Sequence, residues 1–179
     1  MSTKNGPWTV ISTKGIYKNP WINVREDKVI RPDGNDGIFG VVDLKNGITV
    51  LPIDNDGNVF LVEQYRYVMK KKTIEAISGG IEDNENPLSA AKRELKEEAG
   101  IEAKEWINLG IINPLTTVVS SQNYLFLAKD LTFSEANPDG TEKIKPIKVS
   151  LKQAINWVME GKIDSSVTTT IIFKATTLL

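Results

Sequence analysis

The chain reads as an α+β domain on three observations. Runs rich in Val, Ile and aromatic residues, separated by turn residues, extend from Trp8 to Val62; one well-bounded helix follows at Pro87–Ala99; further strand-like runs then precede a second helix near Leu151–Glu160. Strands, helix, strands and helix in that order describe a sheet sandwiched between helices.

The first strands are Trp8–Ile11, Trp21–Val24 and Lys28–Ile30, closed by the turn sequence Arg31-Pro32-Asp33-Gly34 and read as an N-terminal antiparallel region. Gly40–Val42, Gly47–Leu51 and Asn58–Val62 follow, and Asp54-Asn55-Asp56-Gly57 between the last two is a hairpin signal. Asn86 suits an N-cap, Pro87 the first helical position and Gly100 the residue just past the end, which bounds the first helix. Beyond it, Trp106–Ile112, Asn123–Ala128 and Ile144–Val149 read as strands.

Composition removes several chemistries. There is no cysteine, so thiol nucleophiles, disulfides and thiolate metal sites are out, and no histidine, so no imidazole base, triad or His-ligated metal is possible. Carboxylates, lysines and hydroxyls must do the work. Twenty-two basic and 23 acidic residues nearly cancel, which argues against nucleic acid or an anionic membrane surface as partner. No apolar run approaches the roughly 20 residues of a spanning helix, and Met1–Trp8 lacks a signal-peptide core, so a cytoplasmic protein is expected.

The helix at 87–99 carries the sharpest signal. With Glu94 at 0°, Glu97 falls at about 300° and Glu98 at about 40°, so three carboxylates share one arc. Leu88, Ala91, Leu95 and Ala99 fall between about 60° and 140° and form the buried stripe beside it. Glu94 and Glu98 at i,i+4 repel each other unless a cation lies between them. Oxygen ligands alone suit Mg²⁺ or Mn²⁺ rather than zinc. The alternative is an ordinary acidic helix in which Arg93 pairs with Glu97.

The segment upstream decides between them. From Gly79 the chain has glycine, five residues, Glu85, seven residues, then Arg93-Glu94-Leu95-Lys96-Glu97-Glu98-Ala99-Gly100-Ile101. This resembles the Nudix box at every fixed position. Val62-Glu63-Gln64-Tyr65-Arg66, Ile74–Gly80 and the tail Val158–Ser165 further resemble the ADP-ribose and nucleoside diphosphate sugar pyrophosphatase branch.

The resemblance implies a Nudix-type α/β/α sandwich with a mixed sheet over 46–179, preceded by N-terminal strands over 1–45 that serve as a dimerisation element. It implies a homodimer, and hydrolysis of a nucleoside diphosphate sugar to a nucleoside monophosphate and a sugar phosphate. Glu94, Glu97 and Glu98, with the Ser78 carbonyl, become ligands of Mg²⁺ or Mn²⁺. Arg93 becomes the partner that holds a glutamate in place, and Glu85 either assists the metals or supports its loop. Gly79 and Gly80 permit close backbone approach to the diphosphate or simply make a tight turn. Arg66 resembles a phosphate- or ribose-binding arginine and Glu75 a glutamate that binds the terminal ribose or base; as bare sequence each is equally a strand-end charge. Trp21 either stacks on a nucleobase across a dimer interface, as the branch's swap of N-terminal strands between subunits implies, or is a half-buried strand aromatic. Lys70-Lys71-Lys72 is a solvated turn.

With histidine absent, the general base is expected to be a carboxylate on a loop. The segment 137–143 matches in position the acidic loop that supplies it in this branch, which makes Glu142 the candidate, with Glu85 or Glu135 next; the surrounding lysines leave a plain surface loop as the alternative. The stretch Asn113-Pro114-Leu115-Thr116-Thr117 lacks the glycine usual in ADP-ribose-type members, which favours a broader range of nucleoside diphosphate sugars. Two other readings stand beside this one: a Nudix hydrolase of dinucleoside polyphosphates or damaged nucleotides, and a module that senses nucleotide sugars without turnover. The intact box argues against the second.

Overall fold

Alternation along the strands places the core of the molecule. The computed structural model describes residues 2–136 and 144–178. In chain order the elements are β1 (Thr3–Asn5), β2 (Trp8–Lys18), β3 (Ile22–Ile30), β4 (Asp36–Leu44), β5 (Gly47–Pro52), β6 (Asn58–Arg66), β7 (Lys71–Glu75), β8 (Ile77–Gly80), α1 (Pro87–Ala99), β9 (Ile101–Ile112), β10 (Val119–Ser120), β11 (Asn123–Phe133), β12 (Lys145–Ser150), α2 (Leu151–Met159) and α3 (Ser166–Thr176). They divide into two compact units, one of Met1–Lys45 with Asn113–Gln122 and one of Asn46–Ile112 with Asn123–Leu179. None of the helices in the described residues is long and apolar enough to cross a membrane.

In the first unit, β1, β2, β3 and β4 form an antiparallel meander, with β10 added parallel to the edge of β4. The strands at 21–24 and 28–30 expected from sequence are one strand, β3, because Arg25 and Asp27 between them are anchored: Arg25 bonds Asp43 across the sheet at 2.6 Å, and Asp27 accepts from Thr13 at 2.6 Å. Two bulges interrupt the pairing of β2, at Val10/Ser12 and Gly15/Tyr17. Ile11, Ile16 and Ile38 of this sheet are 47%, 53% and 68% exposed, an apolar display that an isolated sheet would not carry without a use for it.

In the second unit, the four-stranded sheet runs β8-β5-β11-β9, and it is mixed: β11 is parallel to β5, and the other pairs are antiparallel. A three-stranded antiparallel sheet runs β12-β6-β7. Period-two burial assigns one face of each strand to one core. Ile48 and Val50 of β5 and Phe126 and Ala128 of β11 pack with Ala90, Ala91 and Leu95 of α1. Leu51, Leu125 and Leu127 pack on the other side with Ala154 of α2 and Ile171, Ile172 and Ala175 of α3. Helices thus cover both faces, the sandwich expected from the order of elements.

The hairpin signal at 54–57 gives the turn but not a ladder. Asp54 takes the amides of Asp56 and Asn58 on Oδ1 at 3.0 and 2.8 Å, and Gly57 has the positive φ the turn needs, at 77°. Yet β5 and β6 enter different sheets and share only an isolated bridge, Ile53 with Val59, because both edges of β5 are taken by β8 and β11. Lys71 and Lys72, expected in a solvated turn, open β7, where they remain exposed and pair with Asp164 and Glu63.

Candidate active site

The carboxylate helix is built as its caps dictate. Asn86 Oδ1 accepts the Ser89 amide at 2.9 Å, Pro87 opens the first turn, and Gly100 closes the last with φ 64°. A β-carbon at Gly100 would strike the backbone of Ser134–Ala136, and the Ser134 amide donates to the Gly100 carbonyl at 2.7 Å. The segment leading into 137–143 is therefore fixed against the end of α1. Glu142 itself lies outside the described residues, and Glu135, the other carboxylate considered on that loop, is exposed.

The helix is rotated relative to the sequence expectation. Its buried residues are Ala90, Ala91, Leu95 and Glu98, and on the same wheel Ala90 falls at about 320°. Glu98 thus lies inside the buried arc rather than beside it, only 5% exposed. A carboxylate at that depth needs a cation or donors to offset its desolvation. Glu94 shares this depth, its side chain 14% exposed, whereas the Glu97 side chain is 47% exposed.

Arg93 is the hub of the carboxylates. Its Nε and Nη2 donate to Glu85 at 3.0 Å each, and Nη2 also donates to the Gly80 carbonyl at 3.0 Å; Nη1 donates to Glu94 at 2.7 Å and Glu97 at 3.1 Å. The i,i+4 pair with Glu97 is therefore real, but it is one of five bonds. These bonds, led by the pair with Glu85, hold the guanidinium above its ordinary pKa. Glu85 also accepts the Glu82 amide at 3.0 Å, which ties the loop before the helix; that amide and Arg93 hold its carboxyl below the usual range, Arg93 contributing most.

Gly79 and Gly80 differ in what they permit. A β-carbon at Gly79 would overlap the Glu94 carboxylate, so the missing side chain is what seats Glu94 against β8, next to Ser78. A β-carbon at Gly80 meets nothing within 4 Å. The donor chemistry fits a hard divalent cation: oxygens only, two of the three glutamates drawn out of solvent, and a backbone cradle that a side chain would fill. Among the described residues, no three acidic side chains are placed to hold one metal ion as they stand; Glu85, Glu94 and Glu97 share the Arg93 guanidinium instead.

Arg66 and Glu75 are brought together. Arg66 grips Glu75 with two bonds, at 3.0 and 2.5 Å, and Thr73 adds a third at 2.5 Å. Burial pushes the Glu75 carboxyl up, but Arg66 and Thr73 outweigh it and hold it below the usual range. Trp21, in the first unit, is 75% exposed in the turn before β3, with its amide bonded to Asn19 Oδ1 at 2.9 Å, so it is not a half-buried strand aromatic. Sequence reasoning gave no role to Thr49, Thr73 or Thr168. The available signal was a hydroxyl inside an otherwise apolar strand, as in Gly47-Ile48-Thr49-Val50-Leu51.

Comparison with known proteins gives a consistent picture. A NUDIX domain model matches residues 43–165, and a model described as the nucleoside diphosphate sugar hydrolase N-terminal domain matches residues 8–42. A relative named methanol dehydrogenase activator, from Bacillus methanolicus, is 30% identical over 162 residues, covering 88% of this chain and 86% of its own. The ADP-ribose pyrophosphatase of Bacillus subtilis (strain 168) is 25% identical over 150 residues, covering 83% and 81%. A crystal structure of an ADP compounds hydrolase superposes with a TM-score of 0.85 at 18% identity, over 99% of this chain and 97% of that one.

Proposed function

Since the chain belongs to the Nudix family of hydrolases, we propose that it cleaves the diphosphate bridge of a nucleoside diphosphate sugar, ADP-ribose or a nucleoside diphosphate hexose, with Mg²⁺ or Mn²⁺. The observation that most supports this is Glu94 seated on Gly79, next to Ser78, on a helix that carries the box residues from Arg93 to Ala99. The match of residues 8–42 to a nucleoside diphosphate sugar hydrolase segment supports the substrate class.

Glu94, Glu97, Glu98 and the Ser78 carbonyl would hold the metal. When bound, a divalent cation neutralises diphosphate charge and makes water more acidic. Arg93 keeps Glu94 and Glu97 oriented, and Glu85 keeps Arg93 in place. Water attacks one phosphorus, the bridging oxygen leaves with the other phosphate, and the Glu142 carboxylate takes the proton of the attacking water. Arg66 and Glu75 bind the substrate as a locked pair, with Gly80 leaving room for the diphosphate; Trp21 stacks on a base across the dimer interface. Residues 1–45 mediate a homodimer through the exposed apolar side chains of their sheet.

The test is a product assay with Mg²⁺ across ADP-ribose, UDP-glucose, GDP-mannose, diadenosine polyphosphates and 8-oxo-dGTP. Because one relative bears the name of a dehydrogenase activator, NAD⁺, which also contains an ADP-ribosyl diphosphate, belongs in the panel. Release of a nucleoside monophosphate and a sugar phosphate from the first three supports the reading. Turnover confined to the polyphosphates or 8-oxo-dGTP refutes it.

A further inference from the structure

Strand β8 lies at the edge of its sheet, paired only with β5. The ladder continues into Ile81, whose amide donates to the Asn46 carbonyl at 2.9 Å. Antiparallel pairing alternates every second residue, so Gly79 and Ile77 bond to β5 while the carbonyls of Ser78 and Gly80 face the other way. The Gly80 carbonyl accordingly accepts from Arg93 at 3.0 Å. An edge carbonyl with pairing on one side only is free to tilt unless something else fixes its strand.

That fixing is visible on the face of β8 opposite α1. Thr49, directly across from Ser78 and fully buried, lies 3.0 Å from the Ser78 hydroxyl. Ser78 Oγ donates its one proton to the Ala76 carbonyl at 3.1 Å, so Thr49 is the donor of the bridge. The Ala76 amide in turn donates to Thr168 Oγ1 of α3 at 3.1 Å, and Thr168 is likewise fully buried. Ala76 and Thr49 lie on the α3 side of the sheet, while Ile77 packs with the α1 side, so Gly79 meets Glu94 from one face and the hydroxyls hold Ser78 from the other.

We infer that Thr49 and Ser78 are positioning residues, whose hydroxyl bridge, anchored through Ala76 to Thr168, sets the orientation of the Ser78 carbonyl next to Glu94. This rests on the metal-site reading above. The side chain of Ser78 acts here through its own backbone, not as a ligand. Hydroxyls suit the task because each can donate and accept within a fully buried sheet, where an unmet polar group would be costly.

The experiment measures Mn²⁺ affinity by electron paramagnetic resonance, with metal-free thermal midpoints, for wild type, Ser78→Ala, Thr49→Val, Thr49→Ser, the Ser78→Ala/Thr49→Val double variant and Glu98→Gln. Removing a group that orients a metal ligand costs about 10- to 100-fold in metal affinity. Ser78→Ala and Thr49→Val are each expected to weaken Mn²⁺ binding about tenfold, with the double variant no weaker than either and Thr49→Ser close to wild type. A merely structural bridge would lower the thermal midpoint and leave affinity alone. If Thr49→Val fails to fold, the half-buried Ser78→Ala decides. Wild-type affinity in both Ser78→Ala and Thr49→Val, with Glu98→Gln weakened, overturns the positioning role and leaves the metal site standing. Wild-type affinity in Glu98→Gln as well overturns both.

Discussion

Gly79→Ala adds one methyl group where the structure has a carboxylate. Carbon atoms in ordinary contact stay about 3.5–4.0 Å apart, but the new Cβ would lie 2.5 Å from Glu94 Cγ and closer still to the carboxylate. Glu94 therefore has to retreat by about 1 Å or more. The Glu94 end is flexible, so the fold can accommodate this by breaking the 2.7 Å bond to Arg93, an ion pair with Arg93 about a third exposed. Such a pair contributes at most about 1 kcal/mol. Displacing a reacting group by 1 Å costs about 10²-fold in rate, or about 2.7 kcal/mol of barrier. The expected result is a thermal midpoint within a few degrees of wild type and a kcat/KM about 10²-fold lower, read at saturating Mg²⁺ with whichever compound of the panel the wild type turns over. Unchanged kcat/KM in a folded Gly79→Ala protein would refute the claim that Glu94 has to sit against β8.

The remaining expectations concern charge and assembly. Glu97→Gln and Glu98→Gln should each lower kcat at least about 10²-fold with little change in circular dichroism, because they remove ligand charge without removing volume. Glu142→Gln should cost about 10²- to 10⁴-fold in kcat with Mn²⁺ affinity unchanged; a loss under about tenfold would remove it as the base. At Asp54, partial burial pushes the carboxyl up, but Lys148 and the Asn58 bonds outweigh it and bring it from 3.8 to about 2. The stability this contributes is present above pH 3.8 and is lost as pH falls through about 2. Discounted for the exposed Lys148, it should amount to about 1–2 kcal/mol. Denaturant midpoints of wild type and Asp54→Asn at pH 5 should differ by that amount and converge near pH 2; a pH-independent gap would count against the ion pair. Light scattering at micromolar protein should give twice the 19.9 kDa of one chain, and a monomer would remove the proposed role of residues 1–45.

What could be read in advance was local. The first helix was legible because Asn86, Pro87 and Gly100 specify its ends within the chain itself, and the box residues from Arg93 to Ala99 lie on consecutive turns of it. The hairpin at Asp54–Gly57 was legible as a turn for the same reason, but which strand pairs with which depends on the distant β8 and β11. Helix α3 was missed because Ser166-Val167-Thr168-Thr169-Thr170-Ile171-Ile172 is β-branched almost throughout and has poor helix propensity. It is helical because Thr168, Ile171, Ile172 and Ala175 recur at three and four and pack into the core. The tie between Arg66 and Glu75 was out of reach for another reason: both were named singly, and the register of β6 and β7 sets Arg66 across from Lys71 and Glu75 across from Val62, so their bond depends on the reach of the arginine side chain, which no strand pattern states. Glu98 shows the limit of a helical wheel, which ranks directions but does not say which one the sheet will cover.

The contact between Gly100 and Ser134–Ala136 separates two problems that a protein engineer would otherwise have to solve together. Because Ser134 to Ala136, at the end of β11, are pressed against the end of α1 and β12 begins at Lys145 in register with β6, the residues on either side of 137–143 are held by contacts of their own, so that segment can be transplanted from another hydrolase, lengthened or altered in charge while its anchors stay put. Lengthening a connection between fixed ends costs little, about 0.6 kcal/mol for each doubling. The glutamate-bearing helix and the segment proposed to carry the base are then separable parts on one frame, and a library randomised over 137–143 would sample new bases without asking α1 to refold.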